Sequence, residues 1–74
     1  GSTIGFNVYP NPVTDRMITV QTNQAGKLDL YDASGKLVFT QQINKGAQVV
    51  PLNNISSGIY LLRSGNNTAK LFIR

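Results

Sequence analysis

The chain has 74 residues and a formal net charge of +4, with seven basic residues against three acidic ones. It has no cysteine, no histidine and no glutamate, so Asp15, Asp29 and Asp32 are its only side-chain acids. Disulfides, thiolates and imidazoles are thereby excluded, and with them most metal-ligating, nucleophile–base and acid–base chemistry. A chain of this size forms one small domain with a thin core, held by packing and sheet hydrogen bonds.

The cations Arg16, Lys27, Lys36, Lys45, Arg63, Lys70 and Arg74 are scattered roughly one per segment. That reads as a solvated surface. A nucleic-acid binder would show a basic stripe with interleaved aromatics, and none is visible. No apolar run approaches the ~20 residues that span a bilayer, and no signal peptide is visible. Gly1-Ser2 reads as a scar of tag removal, which leaves 3–74 as the domain and makes the chain an excised piece of a longer protein. The absent signal peptide then carries no information on localisation.

Taken in order, Phe6-Asn7-Val8-Tyr9 is a short strand stopped by Pro10-Asn11-Pro12. Two prolines so close cannot lie inside a paired ladder, so they make a stiff corner or an edge. Val13-Thr14-Asp15 continues the loop. Residues 16–22 alternate, with Ile18 and Val20 on the buried face, and Asn23-Gln24-Ala25-Gly26 turns. Residues 27–32 alternate again, with Leu28 and Leu30 inward. Asp32-Ala33-Ser34-Gly35 predicts a type I turn with a left-handed Gly35, the Asp32 carboxylate accepting the backbone N–H two residues on. Residues 36–43 return, with Leu37, Phe39 and Ile43 in phase. Asn44-Lys45-Gly46 turns into residues 47–52, where Pro51 argues for an edge or a bulge.

Ile55-Ser56-Ser57-Gly58 then leads into Ile59-Tyr60-Leu61-Leu62. Tyr60 and Leu62 point to one face and Ile59 and Leu61 to the other, so both faces are apolar. The pattern predicts a central strand covered on both sides, with Gly58 at a positive φ before it. After a turn at Asn66-Asn67, residues 68–74 close the chain, with Leu71 and Ile73 on one face and Lys70, Phe72 and Arg74 on the other. Seven short strands at this spacing, with no helical period, predict an all-β fold: a small antiparallel sandwich.

Candidate sites are few. Asp29 and Asp32 stand three apart on strand and turn and face different ways, against a carboxylate pair for glycoside hydrolysis. Asp15 with Asn11 lacks calcium-loop spacing. The aromatics Phe6, Tyr9, Tyr31, Phe39, Tyr60 and Phe72 read as core before they read as a sugar-stacking platform. No catalytic residue, metal or cofactor is expected. Lys70, Phe72 and Arg74 form either an ordinary edge face or a recognition tail.

Three motifs in fixed order carry a further reading. They are Val8-Tyr9-Pro10-Asn11-Pro12, then Leu30-Tyr31-Asp32-Ala33-Ser34-Gly35-Lys36-Leu37-Val38, then Ile55-Ser56-Ser57-Gly58-Ile59-Tyr60-Leu61-Leu62, followed by the terminus Lys70-Leu71-Phe72-Ile73-Arg74. Together they resemble the type A C-terminal sorting domain of the type IX secretion system of Bacteroidetes, over about Phe6 to Arg74. Ile55, Ser57 and Arg74 stand where the family often has Leu, Pro and Lys. The resemblance implies an immunoglobulin-like sandwich of about seven strands and a non-catalytic signal carried by a larger cargo. Its partners would be the type IX outer-membrane translocon and a sortase-like surface protease that cleaves the domain and attaches many cargoes to the cell surface. The route would pass through the periplasm to the surface or the medium. The residues so implied are Tyr9, Pro10, Asn11, Pro12, Asp32, Gly35, Lys36, Gly58, Ile59, Tyr60, Leu61, Lys70, Leu71, Phe72, Ile73 and Arg74. The competing expectation is a carbohydrate-binding or fibronectin-like accessory module. Open edges at the first and last strands make a homodimer a further expectation.

Overall fold

The computed structural model describes residues 5–74, so Gly1-Ser2 lies outside the described residues. Period-2 alternation produces seven strands and no helix among these residues. They are β1 (Phe6–Tyr9), β2 (Met17–Thr22), β3 (Gly26–Asp32), β4 (Leu37–Ile43), β5 (Gly46–Pro51), β6 (Gly58–Ser64) and β7 (Asn67–Ile73). The strands form two antiparallel sheets, one in the order β1-β2-β5 and one in the order β4-β3-β6-β7. The result is a small immunoglobulin-like sandwich: the spacing predicts the antiparallel sandwich, and the family resemblance implies its immunoglobulin-like form.

The inward positions of both sheets make one core. Ile18, Val20 and Val50 come from the three-stranded sheet, and Leu28, Leu30, Ile43, Leu62, Leu71 and Ile73 from the four-stranded one. Leu28, Leu30, Ile43 and Leu62 have no exposed surface. Full burial of such a side chain stabilises by about 1.5–3 kcal/mol. Pro51 ends β5, an edge strand, where its missing N–H costs no ladder bond.

The structure departs from the alternation in four places. First, β6 is interior in its sheet, but only Tyr60, Leu62 and Ser64 face the core. Ile59 and Leu61 are 49% and 43% exposed, because no layer among the described residues lies over the outer face. Second, Leu37 is out of phase with Phe39 and Ile43. The β3–β4 register shifts between Leu30, opposite Phe39, and Tyr31, opposite Leu37. The extra residue, Val38, slips the alternation by one and turns Leu37 to the Tyr31 face. Third, Val13 is not merely loop. It is fully buried and forms a parallel bridge to Ile73. Fourth, the aromatics divide: Phe6, Phe39 and Tyr60 pack on the core, while Tyr9 and Phe72 are exposed.

Candidate functional site

Residues 10–13 run beside β7. Pro10 and Pro12 have no N–H to pair with a strand, and the bonds preceding them, Tyr9–Pro10 and Asn11–Pro12, are both cis. Asn11 between them supplies through its side chain what the backbone lacks. Its Nδ2 donates to Lys70 O at 2.8 Å, and its Oδ1 accepts from Phe72 N at 3.0 Å. A primary amide carries the same donor and acceptor as a peptide unit, so it completes the ladder. Val13 then takes over: its N donates to Phe72 O at 2.7 Å, and Arg74 N donates to Val13 O at 3.0 Å. The edge of β7, expected to be open, is therefore closed by the segment that follows β1.

The β3–β4 turn is organised by Asp32. Gly35 N donates to Asp32 O at 2.9 Å, with Gly35 at φ 92°, a region costly for residues with a Cβ. The carboxylate Oδ1 accepts from Ser34 N, Ser34 Oγ and Lys36 N at 2.9, 2.6 and 3.0 Å. The Ser34 hydroxyl first, then the Lys36 amide, hold its pKa below the ordinary carboxylate value. Asp32 is thus a turn acceptor, as the sequence predicts, and not a base in waiting.

The approach to β6 is clamped by a residue that strand patterning does not single out. Arg16 donates through Nη1 to Ile55 O and through Nη2 to Ser57 Oγ at 3.4 Å, while Leu52 N donates to Arg16 O at 2.8 Å. Arg16 itself sits at φ 58°. Tyr60 OH donates to Ser56 O at 2.7 Å, and the Tyr60 ring lies 3.5 Å from where a Cβ on Gly58 would stand, Gly58 having a φ of 155°. The only hint of Arg16 in the sequence is a long cation just ahead of an alternating run.

Strand register gathers the motifs. Asp32, Tyr60 and Leu71 lie in one row across β3, β6 and β7, and Ile59 stands opposite Phe72 in the next. Asn11 and Val13 close the far side of that row, and Arg74 N is tied to Val13. Gly35 and Lys36 sit in the adjoining turn. Tyr9 is the outlier: it pairs with Thr19 in the other sheet and its side chain is 47% exposed. Tyr31 and Arg63, absent from the predicted residues, line a groove with Ile59, Leu61 and Lys70. Among the described residues, no cluster of acidic side chains could hold a metal, and no helix is long and apolar enough to cross a membrane.

The fold is thus a small all-β sandwich in which the Asn11 amide joins the first motif to the last at the β7 edge. The chain belongs to the secretion system C-terminal sorting domain family, whose model matches residues 7–74. No curated protein and no solved structure matches the chain. Membership makes it a C-terminal sorting signal of the type IX route, which works with that machinery and is carried across the outer membrane to the cell surface or the medium.

Proposed function

We propose that this domain is a non-catalytic tag, spanning 3–74, that is read in the periplasm by the outer-membrane translocon and draws a larger cargo through it. A sortase-like surface protease then removes the domain and attaches the cargo to the cell surface. The signal is the folded edge made by Pro10, Asn11 and Pro12 against Lys70, Leu71, Phe72, Ile73 and Arg74. Tyr9, Asp32, Gly35, Lys36, Gly58, Ile59, Tyr60 and Leu61 hold or adjoin it. The observation that carries this reading is the Asn11 clasp, which joins the first motif to the last across 59 and 61 residues. Motifs that meet in space form one surface for a reader.

The test is a fusion of the domain to a secreted fluorescent reporter in a bacterium with a working type IX system. Surface or medium signal is compared with a periplasm-only control and a secretion mutant. System-dependent export is expected, lost on deletion of Lys70–Arg74; periplasmic retention of the full fusion refutes the reading and favours an accessory binding module. Of the two edges expected to pair in a homodimer, that of β7 is occupied by Asn11 and Val13, so the proposed homodimer falls to β1. Sedimentation showing monomer at high concentration discards it.

A further inference from the structure

Part of the outer face of the four-stranded sheet is apolar, where an open sheet face is ordinarily polar. Register lines Leu37, Tyr31, Leu61 and Lys70 in one row across β4, β3, β6 and β7, beside the Ile59–Phe72 pair. Leu37, Ile59, Leu61 and Phe72 are 41–49% exposed. The centre of this face, with the β3–β4 turn as one wall, forms a groove of about 500 Å³. A contiguous apolar patch of this kind marks an interaction surface.

The charged side chains that line it are two cations and one carboxylate, Asp32. Arg63 and Lys70 line the groove. Lys70 Nζ stands 5.9 Å from the centre of the Phe72 ring, and Arg63 Nε donates to Gly65 O at 3.4 Å, so other guanidinium and ammonium donors remain. Asp29 Oδ1 accepts from Thr40 Oγ1 at 2.7 Å and Asp32 Oδ1 accepts the three bonds of its turn; both stay charged, so Arg63 and Lys70 exceed Asp32, the one carboxylate lining the groove, by a single charge. A second copy of the face would bring the same excess of positive charge rather than complement it. An anionic bilayer gains about 1 kcal/mol per cation, too little from two, and a plane does not fill a groove.

We propose that this face docks a protein segment that carries apolar side chains flanked by carboxylates. Leu61, Ile59 and Tyr31 take the apolar side chains, and Arg63 and Lys70 take the carboxylates. The inference rests on the sorting reading only in placing the partner on the export route.

The test is titration of the isotope-labelled domain, followed by NMR, with three probes. These are a ten-residue peptide alternating Asp and Leu, its Lys and Leu counterpart, and phosphatidylglycerol vesicles. The acidic peptide alone is expected to shift Tyr31, Ile59, Leu61 and Phe72. Arg63→Glu with Lys70→Glu should weaken it about tenfold, and Lys45→Glu in the β4–β5 turn should not. Ile59→Thr with Leu61→Thr keeps β-forming residues, so the strand survives while binding falls. No response, an equal response to the basic peptide or the vesicles, or shifts driven by the domain's own concentration would each overturn the proposal. In the reporter assay, failure of the unmodified domain to export sinks the sorting reading and leaves the peptide result standing. Normal export of the Arg63→Glu and Lys70→Glu variant removes the partner from the export route.

Discussion

Asn11 holds Lys70 and Phe72 at once, donating to the carbonyl of one and accepting from the amide of the other. One side chain thereby stands in for a strand residue that two prolines forbid. Asn11→Ala removes both bonds and is expected to destabilise the domain by about 1–3 kcal/mol. Asn11→Asp keeps the acceptor for Phe72 N but sets a carboxylate oxygen against Lys70 O, so it should destabilise at least as much as Asn11→Ala. Urea melts measure the loss, and faster hydrogen exchange at the Phe72 amide locates it. Unchanged exchange there would show that the clasp does not protect the strand.

Leu61 and Leu62 are neighbours in sequence with opposite surroundings. Leu62 is fully buried and Leu61 is 43% exposed. Leu62→Ala is expected to cost about 2–5 kcal/mol through lost transfer energy and a residual cavity. Leu61→Ala stays within about 0.5 kcal/mol, as exposed positions do. Equal losses in thermal unfolding would mean that the outer face is covered after all.

Arg16 combines a left-handed backbone with a clamp on the approach to β6. Arg16→Ala deprives the Ile55 carbonyl of its donor and keeps the backbone strain. Arg16→Gly loses the same bonds but relieves the strain, and should be the more stable of the two by about 1 kcal/mol. Denaturant midpoints of the pair decide this; the reverse order would locate Arg16's worth outside its side-chain bonds.

Asp32 sets the acid limit of the hairpin. Its pKa is lowered in the folded chain from an ordinary 3.8, so the folded state favours the carboxylate. This stability is present above that value and is lost as pH falls through the lower folded one. The unmodified domain should weaken on acidification in that window, and Asp32→Asn should be flatter there. Parallel pH profiles of the two would remove Asp32 from the account.

The local parts of this fold were legible because their causes are local. Asp32-Ala33-Ser34-Gly35 contains its own acceptor and its own left-handed glycine, and the turn forms as the residues dictate. Leu28 and Leu30 alternate without interruption and lie inward. What escaped depends on contacts far along the chain or on register. Asn11 finds Lys70 only because β7 comes to rest beside it. Leu37 changes face because Val38 is an added residue in the ladder, and no periodicity announces a bulge. Two-sided apolarity at 59–62 correctly puts β6 inside its sheet. The step from apolar to covered fails because, among the described residues, no element packs over the outer face, and Ile59 and Leu61 stay about half exposed.

The clasp at Asn11 also sets an order in time. During synthesis the opening motif emerges long before its partners, and it has nothing to hold until the final strand is made. A cargo whose translation stops short of Lys70 displays Asn11 with an empty amide. The joined edge thus depends on β7: a chain cut before Lys70 has the opening motif but not the edge that it closes.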